Sequence, residues 1–179
     1  MPLVQKSTLY YPDRAPVQVQ VDVELQATPD QILQKLMDCP SWTQWFPDVQ
    51  SCFESTPLPR VAENNPSYPL GSTRQISIGG IIFDEEIIAY DDDGDEKVWA
   101  FSVYETSQAL VRCMVERVVL EPVYDDKNTV VGTRAHYAAG LELIWYLRPF
   151  LKPVLQRSMK KSWKQAFRQL DRYIEQQTK

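Results

Sequence analysis

Val17-Gln18-Val19-Gln20-Val21-Asp22-Val23-Glu24-Leu25 alternates apolar and polar residues without a break and runs into Gln26-Ala27-Thr28-Pro29-Asp30-Gln31-Ile32. A period of two puts the four valines and Leu25 on one face of a half-buried strand. Thr28-Pro29-Asp30 then reads as a helix start, with Thr28 as N-cap and Pro29 at the first helical position. Ile32, Leu33, Leu36 and Met37 recur at helical spacing as far as Cys39-Pro40. A second short helical turn opens at Ser41, carries Trp42, Trp45 and Phe46, and closes at Pro47-Asp48.

Upstream, residues 1–16 are punctuated by Pro12, Asp13 and Pro16 and read as an N-terminal arm; 17–179 read as a single domain. Downstream, Val49 to Ser55 is a strand, and Pro57 to Pro69, with its prolines and asparagines, is a loop. From Gly71 the pattern is all strand. Gly71–Ile78 and Ile81–Tyr90 flank Gly79-Gly80, a two-residue hairpin signal. Lys97–Thr106, Leu110–Val123 and Thr129–Ala139 follow, separated by acidic or polar turns. The chain closes with a helix that begins between Leu143 and Pro153 and runs to about Gln177. Its apolar residues recur at spacings of three and four, so one face must be buried. An α+β domain is expected, with a curved antiparallel sheet of six to seven strands wrapped around that long helix and the two short helices plugging the gap.

The 179 residues, 44% hydrophobic and 24% charged, suit one globular core. A formal net charge of -5 argues against nucleic acid as the main partner. The charge is lopsided. From Trp145 onward there are nine Lys/Arg (among them Arg148, Lys152, Arg157, Lys160, Lys161, Lys164 and Arg168) and two acids, leaving ten basic and twenty-two acidic residues before it. The plain reading is a solvated helix face beside an acidic sheet; the sharper one is peripheral contact with an anionic membrane or an acidic partner. Cys39, Cys52 and Cys113 are an odd number without metal-ligand spacing. With an N-terminus that lacks signal-peptide character, they lead to the expectation of a reduced, cytoplasmic protein.

The ordered set of features resembles a known superfamily. Val23 to Ile32 is similar to the strand-then-capped-helix opening of the polyketide cyclase/dehydrase and START-like (SRPBCC, pathogenesis-related allergen-like) ligand-binding proteins. Trp42-Thr43-Gln44-Trp45-Phe46-Pro47-Asp48-Val49 resembles their Trp-rich second helix. Gly71-Ser72-Thr73-Arg74 and Gly132-Thr133-Arg134-Ala135-His136-Tyr137 resemble their glycine-led strand starts. The resemblance covers about Val17 to Ile174 and implies a helix-grip fold with an interior cavity.

Catalytic machinery is sparse. His136 is the single histidine, so a multi-histidine metal site is excluded, and no phosphate loop, nucleophile elbow or cofactor motif is present. The weak catalytic candidates are His136, Tyr137, Arg112 and Glu116. For ligand contact, alternation selects Trp99, Phe101 and Val103 on one strand face and Thr133, Ala135, Tyr137 and Ala139 on another. Met159, Trp163 and Phe167, spaced four apart, should face them from the helix. The resemblance puts Trp42, Trp45 and Phe46 at the pocket mouth, although such rings equally close a core. Arg74, Glu86, Arg112 and Glu116 interrupt apolar strands; the default places them on the solvent face, and a single bulge would reverse their parity. In Leu110–Leu120 the face of Val111, Cys113, Val115, Arg117 and Val119 is the cleaner apolar stripe apart from Arg117. Binding of a small hydrophobic, lipid-like or polycyclic molecule is the leading reading. An aromatase/cyclase or dehydratase acting without metal is the second, and a membrane-surface or protein-interaction role is the third.

Overall fold

The computed structural model describes residues 3–54 and 70–177; the proline-rich loop expected over 57–69 lies outside the described residues. Val17–Leu25 forms β1, Pro29–Met37 α1, Trp42–Trp45 α2, and Val49–Glu54 β2. Thr73–Ile78 (β3), Ile81–Asp91 (β4), Lys97–Thr106 (β5), Val111–Tyr124 (β6), Val130–Leu143 (β7) and Arg148–Gln177 (α3) complete the chain. The strands make one seven-stranded antiparallel sheet in the order β1-β7-β6-β5-β4-β3-β2. The curved sheet and the long terminal helix form the helix-grip arrangement.

Local chemistry accounts for the elements. Thr28 caps α1 in a full capping box with Gln31, so the N–H groups of Thr28 and Gln31 are each satisfied by the other's side chain. Gly79 and Gly80 sit at φ 56 and 81, the pair of positive angles that a tight hairpin between β3 and β4 requires. Pro149 and Pro153 both lie within the first turns of α3. Asp171 of α3 accepts from the backbone N–H groups of Gln26 and Ala27, pinning the helix to the end of β1.

The N-terminal arm corrects the reading of β6. Met114, Glu116, Val118 and Leu120 face the core, opposite to Cys113, Val115 and Val119 of the stripe that looked cleaner, while Val111, beyond a register shift, lines the interior. Cys113 and Val115 are nevertheless buried, because residues 3–16 cover the outer face of the sheet. Val4 N–H donates to the Tyr104 carbonyl and Gln5 N–H to that of Arg112; Arg117 is bidentate to Asp13. A Cβ on Gly140 would come within 2.7 Å of Pro12 Cα, so the arm crosses β7 where only glycine fits. Apolar residues on both faces of β6 are thus real, and alternation cannot rank them.

Two cysteines are also corrected. Cys39 and Cys52 are joined in a disulfide with Cα atoms 5.3 Å apart, tying the turn before α2 to β2, while Cys113 is free and buried. No described helix is long and apolar enough to cross a membrane.

Candidate functional site

A row of polar side chains crosses the concave face of the sheet beneath α3. Arg74 on β3 pairs in register with Glu85 on β4, and its Nε donates to Glu85 Oε2 at 2.7 Å with both side chains buried. The guanidinium also sits in an aromatic cage. Its Cζ lies 4.3 Å from the Trp42 ring centre, 4.7 Å from Trp99 and 4.8 Å from Phe101. Glu116 on β6 is opposite Phe101 on β5 and Ala139 on β7, and Tyr137 is the diagonal neighbour on β7. Trp163 of α3 stacks on Tyr137 with ring centres 4.2 Å apart.

Burial and charge decide the protonation of this row. Burial above all, then the Glu85 charge, pushes the Glu116 carboxyl up to about 8. Burial also raises Glu85, against the pull of Arg74. Arg74 gives Glu85 a direct counter-charge, and Glu116 has no ion-pair partner among the described residues, so Glu116 is the group that holds the proton. Tyr137, buried beside it, is raised well above its ordinary range and stays a neutral phenol. Trp99 Nε1 and one guanidinium nitrogen of Arg74 are buried with no hydrogen-bond partner among the described residues.

Above this row is a cavity of about 320 Å³ with mainly apolar walls. Ile76 and Ile78, Ile81 and Phe83, Phe101, Met114 and Leu141 line it from the sheet, and Leu155, Met159 and Trp163 from α3. Trp42 and Phe46 line it from α2 and its end, and Asp48, Glu85 and Glu116 are its carboxyl groups.

The expected residues distribute unevenly around it. Trp42, Phe46, Phe101, Met159 and Trp163 reach the wall. Trp99, Val103, Ala135, Tyr137 and Phe167 are buried among the residues behind it. Trp45 is likewise fully buried, with its indole N–H donating to Ser41 Oγ, so it supports α2 from within the core. His136 is corrected outright. It is on the outer face, 2.7 Å from Asp22 of β1 and 3.4 Å from Glu121, and does not face the cavity. Arg112 is exposed and does not line the cavity, and Glu86 pairs with Lys6 of the arm on the outer face. Arg74 and Glu116, by contrast, point inward against the default. Glu85 was missed because Glu86 drew attention as the odd residue. The parity of Phe83, Glu85 and Ile87 was the available signal, obscured by irregular pairing of β4 with β5 on either side of it.

A curved sheet gripping a helix over an apolar cavity with a few buried polar groups defines a ligand-binding class of fold. The chain belongs to the family described as polyketide cyclase / dehydrase and lipid transport, which it matches over residues 16–175. Among solved structures it is similar to a START superfamily protein from Mycobacterium smegmatis: TM-score 0.65, 15% identity, 89% of this chain and 98% of that one. A crystal structure from Thermus thermophilus is similar at TM-score 0.65 and 16% identity, covering 90% of this chain and 99% of that one. The di-domain ARO/CYC BexL of the BE-7585A biosynthetic pathway matches at TM-score 0.63 and 14% identity, over 88% of this chain and 46% of that one. No curated protein matches the sequence.

Proposed function

We propose that the protein binds, without turning it over, a small and mostly apolar molecule that carries one neutral hydrogen-bonding group. The observation that carries this reading is the cavity itself: apolar walls, with a protonated Glu116 as its distinctive polar contact. A neutral carboxyl both donates and accepts, so it suits a hydroxyl or carbonyl and repels no dipole. A ligand carboxylate would instead meet the Glu85 charge. The test is native mass spectrometry and thermal shift with alcohols, ketones and carboxylic acids of matched carbon skeleton. Alcohols or ketones should bind and raise Tm, and the matched acids should bind more weakly. A crystal structure with a collapsed cavity and no apolar binder in the panel would sink the proposal.

One observation favours a second reading, an aromatase/cyclase or dehydratase. A carboxyl held protonated near neutral pH beside a phenol is a general acid in waiting. In that reading Glu116 and Tyr137 carry the chemistry. Turnover of a poly-β-keto chain that Glu116→Gln abolishes while retaining binding would establish it over the carrier.

For the compartment, the Cys39–Cys52 disulfide favours an oxidising one over the cytoplasm expected from the cysteine count. Cells lysed into an alkylating reagent should leave Cys39 and Cys52 protected until reductant is added; modification of both at lysis would return the protein to the cytoplasm.

A further inference from the structure

Of the five tryptophans, Trp42, Trp45, Trp99 and Trp163 are buried, and Trp145 is 73% exposed. It is not alone. Tyr146, Phe150 and Val154 are 54%, 75% and 62% exposed beside it, forming an aromatic patch at the start of α3. Phe150, Val154, Arg157, Lys161, Lys164 and Arg168 follow at spacings of four, three, four, three and four, all exposed. That places them on one outward stripe of the helix, apolar at its first turns and basic beyond. From Ile144 to Leu170 there is no acidic residue, and none of these basic side chains forms an ion pair among the described residues. The patch also borders the cavity. Leu155 and Met159 of α3 line it, and so do Gln108 and Val111 next to Leu110, whose carbonyl accepts from Ile144 N–H at 3.1 Å.

We infer that the first half of α3 and the turn before it dock on an anionic lipid bilayer, with the adjoining end of the cavity turned toward the membrane. A bilayer fits both parts of the stripe. Lipid phosphates take the Lys and Arg groups, and Trp145, Tyr146 and Phe150 occupy the interfacial layer where aromatic rings are favoured. An acidic protein surface would satisfy the basic part and leave the rings without a partner. Docking in this orientation lets an apolar ligand pass between cavity and membrane without crossing water.

The test uses the full chain and needs no ligand, so its outcome is separate from that of the cavity proposal. Protein is mixed with phosphatidylcholine vesicles, with or without phosphatidylglycerol, and read by co-sedimentation and tryptophan emission. Binding is expected to the anionic vesicles, weakened by salt, with a blue shift because Trp145 is the indole that changes environment. Trp145→Phe should keep sedimentation and lose the shift. Arg157→Glu with Lys161→Glu should lower the partition coefficient by at least about tenfold, and Phe150→Ser with Val154→Ser should also weaken it; Tm should be unchanged in both. Equal binding to neutral vesicles, a shift that persists in Trp145→Phe, or unaltered binding of either double variant would overturn the inference. So would self-association without vesicles that shields Trp145.

Discussion

Glu116 has no cation in ion-pair reach among the described residues, whereas Glu85 in the same row has Arg74 at 2.7 Å. The difference has a measurable consequence. The Glu116 carboxyl, ordinarily near 4.5, titrates at about 8 in the folded chain. Between those values the folded chain holds a proton that the unfolded chain has released. Its contribution is therefore intact below pH 4.5 and is lost as pH rises through about 8, at roughly 1.4 kcal/mol per pH unit. Glu116→Gln should remove this decline, so the variant's advantage in urea unfolding grows steadily from pH 5 to 8. A constant difference across the series would mean that Glu116 is ionised. Arg74 is the opposite case, a charge that cannot leave. Arg74→Met strands Glu85 in the core and should cost about 3–5 kcal/mol. The double variant Arg74→Met with Glu85→Leu should recover most of it, as a double-mutant cycle would read.

At the level of elements, α1, the β3–β4 hairpin and α3 were all legible, because capping residues, paired glycines and three-four spacing act locally. What was not legible depends on contacts distant in sequence. The arm buries the outer face of β6, which makes Cys113 and Val115 look like core and hides the inward direction of Glu116. Irregular pairing between β4 and β5 hides Glu85 in the same way. The Trp-rich turn shows a third limit: its rings are close together, but Trp42 and Phe46 face the cavity while Trp45 faces the core. Trp45→Ala should accordingly lower stability by about 3–5 kcal/mol, and Phe46→Ala should weaken ligand binding more than its smaller loss of stability explains. A Trp45→Ala protein of near-normal Tm would show that the ring is not a core group. Below Trp45, the Cys39–Cys52 bond closes a short loop between this turn and β2. Reductant should lower the unfolding free energy by on the order of 2–4 kcal/mol, seen as a Tm shift absent from the Cys39→Ala, Cys52→Ala variant.

For the molecule as a whole, cavity and protonation are one coupled system. α3 closes the cavity over a carboxyl that is neutral because the protein around it excludes water, and an apolar ligand excludes more. A ligand accepting a hydrogen bond from Glu116 binds the protonated form, so by linkage it must raise the pKa further and bind less tightly once that proton is gone. Affinity should be flat from pH 5 to 7 and then fall by up to about tenfold per unit above pH 8. Glu116→Gln, which keeps a donor and an acceptor but cannot ionise, should bind with little pH dependence over the whole range. Calorimetry in buffers of different ionisation enthalpy should show proton uptake on binding near pH 8 for the natural chain and none for the variant. Proton release instead of uptake would mean that the ligand prefers the carboxylate, and a cationic end group would replace the neutral one in the proposed ligand.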